Sequence, residues 1–420
     1  MGRILDLAEK LWSGAVSGDQ HPPYTPLLEI EPVGEGVAFL SSFANVAAVT
    51  TGEGLVLVDV ASKPLAEMTV TQLRSWSRAR VHTVVFTHGH LDHVMGIERF
   101  DEEARASGNP AIRVVAHEAV PQRFARYALT AGYNGCVNTR QFQMPIVWPT
   151  QFRAPDVLYA DSASLDVGGT RFELRHARGE TDDHTWVWVP ARKLLCTGDL
   201  FLWCCPNAGN PQKVQRYPSE WAKALRAMAD LDAEILLPGH GVPIVGAERV
   251  RQALAETAEY LEVLHDRTVE MMNAGARLED IVRAVRPPSR LLTRPYLQPL
   301  YDEPEFIVRN VWRLYGGWWD GDPSRLKPAP REVVAREIAA LAGGAARLAE
   351  RATALAATGV EADLAVACHL AEIAGDAAPR DDAIVKARAE VYFKRGRSER
   401  SLMARGIYAA AATEPPKRRG

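Results

Sequence analysis

The stretch VVFTHGHLDHVMG, residues 84–96, sets three histidines and an aspartate within six consecutive positions at the end of an apolar run. The run reads as a short buried strand. His88 and His90 alternate, so along an extended exit from that strand their side chains share one direction. Gly89 between them lets the backbone tighten. Asp92 and His93 follow the turn and face back from the first helical turn. Imidazole and carboxylate together suit zinc, iron or manganese. Two pairs of donors on either side of one turn exceed what a single tetrahedral ion needs, and point to two metals a few ångströms apart. A lone histidine is usually a satisfied core or surface residue. Three in six with an aspartate, in a turn where unpaired polar groups are costly, are better read as ligands.

The sequence His88-Gly89-His90-Leu91-Asp92-His93 is the H-x-H-x-D-H signature verbatim, and here the chain resembles the metallo-β-lactamase superfamily. The resemblance implies an αβ/βα sandwich with the metals at the edge where two sheets meet. It extends over residues 1–247. GLVLVDV resembles the strand that carries the family's aspartate, here Asp59. CTGDL resembles the bridging acid, Asp199, and LPGHG the last histidine, His240, which completes the second site beside Asp92 and His93. Taken alone, a Gly-Asp after a strand equally suits an Asx-turn and a Gly-His-Gly a plain loop. The third ligand of the first site falls in RHARGETDDHTWVW, where most of the superfamily has Gly-His-Thr. Glu180 stands at that place, and the type III alkyl sulfatases are similar in using a glutamate there. A carboxylate ligand is acceptable to zinc. Glu180 is therefore the expected ligand, with His184 as an alternative ligand or substrate contact and His176 as a structural strand-end residue.

Working outward, the chain has 420 residues, 24% charged and 47% hydrophobic, the balance of a folded protein with a core large enough for an enzyme. A net charge of −3 supplies no field to recruit nucleic acid. Five cysteines without a C-x-x-C pair argue against a disulfide framework and for a reducing, cytoplasmic setting. The first residues, MGRILDLAEKLWSGAV, read as an amphipathic helix and not a signal peptide. No run approaches the roughly 18 apolar residues of a membrane span.

Strand signals dominate up to residue 247, with a helix at 219–230. Residues 248–325 read as a helical connector: a helix over 250–272, then an extended segment rich in aromatics, glycine and proline. Residues 326–413 carry Ile338, Leu341, Ala345, Leu348, Ala352 and Leu355 at helical spacing, an all-α domain. Residues 414–420 form a basic tail. VRNVWRLYGGWWDGDPSRLKP followed by EIAALAGGAARLAERATALAATG resembles the alkyl sulfatase dimerisation domain, which implies a homodimer through the C-terminal helices. Two departures from that branch bear on substrate. Its bridging acid is usually a glutamate in Ala-Glu-Asn, whereas this chain has Gly-Asp-Leu. Its Leu-Arg-Gly, whose arginine grips sulfate, is replaced by a segment with Asn207, Lys213 and Arg216.

The expectation is a binuclear metal-dependent hydrolase with two divalent ions, zinc the expected metal. A metal-bound hydroxide attacks, Asp92 shares in catalysis, and the ions stabilise the leaving oxygen. The resemblance favours a sulfuric ester that is anionic with an apolar part. Asn207, Lys213 and Arg216 are candidates for its head group, Trp203 and Tyr127 for its apolar tail. The bland alternatives are an exposed basic loop and aromatics packed in a core. The same fold acting on a carboxylic ester, lactone or phosphoric ester keeps every ligand and differs in the pocket. A non-catalytic helical interaction protein with a vestigial metal site is the third reading.

Overall fold

The structure, a computed structural model, describes residues 2–413, so the basic tail at 414–420 lies outside the described residues. The chain divides into two compact units. One comprises the chain up to Ala131 together with Pro149–Gly316, the other Gly132–Trp148 together with the chain from Gly317 onward.

The first unit is built on two sheets. Strands β1 (Ile30–Gly34), β2 (Val37–Leu40), β3 (Val46–Thr51), β4 (Gly54–Val58), β5 (Val81–Val85), β6 (Arg113–His117) and β7 (Val157–Tyr159) lie side by side in chain order. The second sheet runs β13-β12-β11-β10-β9-β8. Its strands are β8 (Ser162–Val167), β9 (Thr170–His176), β10 (Thr185–Val189), β11 (Leu194–Leu202), β12 (Ile235–His240) and β13 (Ile244–Val245). The first four strands pair antiparallel, β4 to β7 pair parallel, and β11 and β12 form a parallel pair in the second sheet. Parallel neighbours need crossovers, which the helices Ala66–Trp76, Ile97–Ala106 and Pro218–Ala229 supply.

Alternation along the strands sends one set of side chains between the sheets and the other under helices. Phe39, Val49, Val56, Val85 and Val115 meet Phe172, Leu174, Val187, Cys196 and Leu237 in the inter-sheet core. Leu55, Leu57 and Val84 pack outward against Val70, Leu73 and Phe100. On the far side Trp186, Leu195 and Leu236 lie under Trp221, Leu225, Leu254 and Leu261. These layers make the αβ/βα sandwich the sequence implies. The register of β11 slips around Gly198, whose φ of 49° is left-handed, so the strand kinks where it presents Asp199.

The helix expected at 250–272 runs from Ala247 to Asn273. The segment expected to be extended is not: it holds a 13-residue helix, Pro304–Gly316, with Ile307, Val308 and Val311 buried in the same core. Proline at its first position and an i, i+1, i+4 apolar set account for it. In the second unit, helices Arg331–Leu341, Ala345–Ala357, Glu361–Ala377, Asp382–Ser398 and Leu402–Thr413 pack through alanine-rich seams such as Ala352, Ala367 and Ala371. Among the described residues no helix is long and apolar enough to cross a membrane.

Candidate metal centre

The motif turn sits at the C-terminal end of β5, as ligand sites do in sheets with parallel strands. His90 caps a single helical turn, Leu91–Val94, on which Asp92 and His93 ride. The turn is pinned from outside. Gly89 N–H donates to Asp183 Oδ2 (3.0 Å), and the buried Arg123 guanidinium pairs with the same oxygen at 2.8 Å. A side chain at position 89 would meet Arg123 Cδ at 2.8 Å, which is why glycine stands there.

The seven expected ligands come together in two adjoining groups. His88, His90, Glu180 and Asp199 each offer a donor atom within 4.8 Å of the others, and so do Asp92, His93 and His240. Asp199 spans both. Its Oδ1 lies 3.3 Å from His93 Nε2, and its Oδ2 lies 3.7 Å from His88 Nε2 and 3.5 Å from His240 Nε2. Asp92 Oδ2 lies 3.7 Å from His93 Nε2 and 3.5 Å from His240 Nε2.

One carboxylate behind the site orients histidines of both groups. Asp59, buried and held at φ 61°, accepts from Thr87 N–H (2.8 Å), Thr87 Oγ1 (2.8 Å) and His93 Nδ1 (2.7 Å). Thr87 Oγ1 in turn faces His88 Nδ1 at 3.0 Å. His240 Nδ1 donates to the Phe43 carbonyl at 2.5 Å. This network gives each Nδ1 a hydrogen-bond partner and directs the Nε2 atoms of His88, His93 and His240 inward, the orientation from which a histidine binds metal once Nε2 carries no proton.

The residues fit a metal. His93 Nε2, Glu180 Oε2 and Asp199 Oδ1 are buried and have no hydrogen-bond partner, and such orphans are expensive without a counter-charge. Burial pushes the Glu180 carboxyl up to about 8, whereas Asp199 is held well below the carboxylate range: burial opposes this, but His240 and His93 outweigh it. Burial holds the imidazoles of His88 and His90 neutral, ready as donors.

His184 has a different task. Its Nε2 accepts from Asp199 N–H at 3.0 Å, its ring stacks on His88 at 4.7 Å, and burial brings it down to about 3. It steadies the backbone of Asp199, and the first group contains Glu180 in its place. His176, at the end of β9, bonds through Nδ1 to the His184 carbonyl (2.9 Å) and stacks on His117 at 3.6 Å.

Of the expected substrate contacts, Trp203 is corrected. It is 3% exposed, its indole N–H donates to the Val242 carbonyl (2.6 Å), and its ring packs edge-on against Trp12 and Tyr296. It is core. Tyr127 lies beside the centre, its ring near parallel to His90 at 6.5 Å. Arg216 and Asn207 are both buried and turn toward Glu180: the Arg216 guanidinium pairs with Oε1, and Asn207 Nδ2 donates to the same atom at 2.5 Å. Burial, with Arg216 nearby, lowers the Lys213 ammonium to about 7, while Glu180 and Asp92 pull it the other way.

Four supporting residues escaped the sequence reading. Asp183 pins the motif turn and Thr87 links His88 to Asp59, as above. Asp302 accepts from Gly209 and Asn210 N–H (2.6 and 3.0 Å), and Asn310 donates to the carbonyls of Ala208 and Arg216 (2.8 and 2.9 Å). The only sequence signal for the last pair is their place on or before an amphipathic helix.

Comparison with known proteins bears on the fold that carries these residues. Residues 42–240 match the metallo-beta-lactamase superfamily, and residues 277–417 match a family described as alkyl sulfatase dimerisation. The chain is 27% identical over 315 residues to a linear primary-alkylsulfatase of a Pseudomonas species, covering 70% of this chain and 59% of that protein. It is 22% identical to an alkyl/aryl-sulfatase of Saccharomyces cerevisiae, covering 74% and 52%, and 24% identical to an (R)-specific secondary-alkylsulfatase of Pseudomonas, covering 72% and 50%. The chain thus spans between half and three-fifths of these relatives' length. The solved structure of the stereoselective inverting sec-alkylsulfatase Pisa1 superposes with a TM-score of 0.81 at 22% identity, covering 92% of this chain and 66% of that one. Residues 42–240 thus form a metallo-β-lactamase superfamily domain, and a segment that matches the alkyl sulfatase dimerisation family follows it at 277–417.

Proposed function

We propose that the protein is a binuclear metal-dependent hydrolase of sulfuric esters, an alkyl sulfatase. The observation that carries this is the convergence of His88, His90, Glu180 and Asp199 with Asp92, His93 and His240 around a shared Asp199, in a chain whose relatives are named alkylsulfatases. His88, His90, Glu180 and Asp199 would hold one ion, and Asp92, His93, His240 and Asp199 the other. Bound divalent ions, zinc being suited to this nitrogen and oxygen set, acidify water and polarise the ester oxygen.

The chain's own residues do the rest. Asp59 fixes the direction of His88 and His93. The His184 imidazole keeps Asp199 in place. Asp92, whose side chain is 26% exposed where that of Asp199 is 5%, stands toward solvent and takes the proton of the attacking water on its carboxylate. Lys213 holds the anionic head group, and Tyr127 forms one wall of the approach. Association through the second unit to a homodimer rests on the match over residues 277–417. The cytoplasmic reading rests on five free thiols.

The test is direct. Purified protein with added zinc is assayed on dodecyl sulfate, a lactone and a phosphodiester, with sulfate release as the readout for the first. Sulfate release on dodecyl sulfate is the expected result. Turnover of the lactone alone would replace the proposal with carboxylic ester hydrolysis, the reading favoured by the engagement of Arg216 with Glu180.

A further inference from the structure

Arg216 is the one arginine in the segment that replaces Leu-Arg-Gly, and its surroundings point inward. Its side chain is 3% exposed. The same Nη1 that pairs with Glu180 Oε1 also donates to the Asn207 carbonyl at 2.7 Å. Asn207 returns through Nδ2 to the same carboxylate oxygen. Glu180 Oε1 therefore has two donors, while the buried Oε2 has none. A carboxylate saturated on one oxygen and bare on the other keeps its free lone pairs on the second, and Glu180 has a carboxylate oxygen within 4.8 Å of donor atoms of His88, His90 and Asp199.

The clamp is itself braced. Cys205 N–H donates to the Gln298 carbonyl (2.8 Å), Gly209 and Asn210 to Asp302, and Asn310 to the carbonyls on either side of the segment, Ala208 and Arg216. Tyr217 N–H reaches back to the Gly179 carbonyl at 2.9 Å, which joins the arginine's neighbour to the glutamate's neighbour. A guanidinium this deep requires its acid: removing one partner of a buried pair leaves an uncompensated charge. Nη1 is committed to Glu180 and the Asn207 carbonyl, so a substrate anion would meet only the other guanidinium donors, and drawing this buried group outward would cost the carboxylate its orientation.

We propose that Arg216, assisted by Asn207, is a positioning residue that aims Glu180 at the first metal position, so that it sets metal affinity there and does not bind the substrate's anionic group. The inference rests on the proposed binuclear reading.

The experiment is a zinc titration of the full-length protein against a competing chelator, repeated with cobalt(II) read by its absorption, for wild type, Arg216→Met, Arg216→Lys and Asn207→Ser. Steady-state kinetics on dodecyl sulfate are measured at saturating zinc. The expected result is that one of the two binding steps weakens by about 10–100-fold in Arg216→Met, the range for removing a partner that orients a ligand. Asn207→Ser weakens the same step by less, and KM at saturating zinc stays within about threefold of wild type. Arg216→Lys keeps the charge without the fork and falls between, so the proposal stays testable if Arg216→Met does not fold. Two unchanged zinc affinities in the variants, with KM raised tenfold or more, would overturn the proposal in favour of a substrate-binding arginine. A wild-type chain that binds no zinc would overturn the binuclear reading itself, a result distinct from either.

Discussion

Gly239 precedes the last ligand, His240, on β12, and its substitution by alanine tests the placement of Asp199 more sharply than deletion of any ligand. Its φ lies outside the left-handed region, so the backbone itself accepts alanine. Only space is lacking. An added Cβ would stand 2.1 Å from Asp199 Oδ1, with Gly198 C and O at 2.9 and 3.0 Å. A carbon–oxygen contact settles at about 3.3 Å, so the carboxylate must retreat by roughly 1 Å. Displacement of a catalytic group on that scale costs about 100-fold in rate, or about 2.7 kcal/mol of transition-state stabilisation. Overpacking between β11 and β12 adds about 1–3 kcal/mol of lost stability. Gly239→Ala is therefore expected to fold, to melt earlier, to bind zinc less tightly at both positions, and to lose at least about 100-fold in kcat/KM on dodecyl sulfate. Gly132→Ala is the companion, since its Cβ would meet nothing within 4 Å and wild-type behaviour is expected. Zinc per chain by mass spectrometry, sulfate release and a thermal melt are the readouts. Two tightly held ions and activity within threefold of wild type in Gly239→Ala would refute the claim that Asp199 Oδ1 is fixed between the two groups.

Three other outcomes are expected. Asp59→Ala removes the acceptor shared by His93 and the Thr87–His88 pair, so chelator competition should show about 10–100-fold weaker binding at both positions; loss at one alone would contradict the shared role. Trp203→Phe should lower stability by about 1–3 kcal/mol, because the Val242 carbonyl loses its donor, while KM across alkyl sulfates of increasing length stays flat; a rise confined to long chains would put Trp203 back in the pocket. Burial raises the Asp302 carboxyl from 3.8 to about 6 against the pull of the Gly209, Glu303 and Asn210 amides. The folded chain then binds that proton more tightly than the unfolded one, a stabilising contribution complete below about pH 3.8 and lost as pH rises through about 6. Relative to Asp302→Asn, wild type should gain about 2–3 kcal/mol between neutral pH and pH 4 in denaturant titrations; a gap that does not change with pH would show an ordinary carboxyl.

The centre was legible in proportion to how local its residues are. His88, His90, Asp92 and His93 share one turn, so their spacing alone carries the chemistry. Asp199 within β11 and His240 at the end of β12 are a single acid and a single histidine, readable only once the first cluster supplies a family. Glu180 was legible as a departure from that family, and the structure brings its carboxylate, not the His184 ring, to the other donors. Asp302 and Asn310 left no trace beyond their place beside an amphipathic helix, because they act on backbone amides and carbonyls about ninety to a hundred residues away in sequence. Trp203 was misread because a tryptophan just past a ligand strand suits a pocket wall as well as a core. What decides is whether its N–H finds an internal acceptor, and it does. The helix Pro304–Gly316 was obscured by the glycines, prolines and aromatics that surround it, although FIVRNVW holds its apolar stripe.

The brace from Asp302 and Asn310 to the Asn207–Arg216 segment bears on where this protein can be cut. A shortened version ending after β13, the boundary a strand-by-strand reading suggests, would keep every residue able to touch an ion yet lose the scaffold behind Glu180. Recombination or engineering that treats the sandwich as a portable module must carry its partner helix along, or the transplanted cradle will arrive with one wall missing.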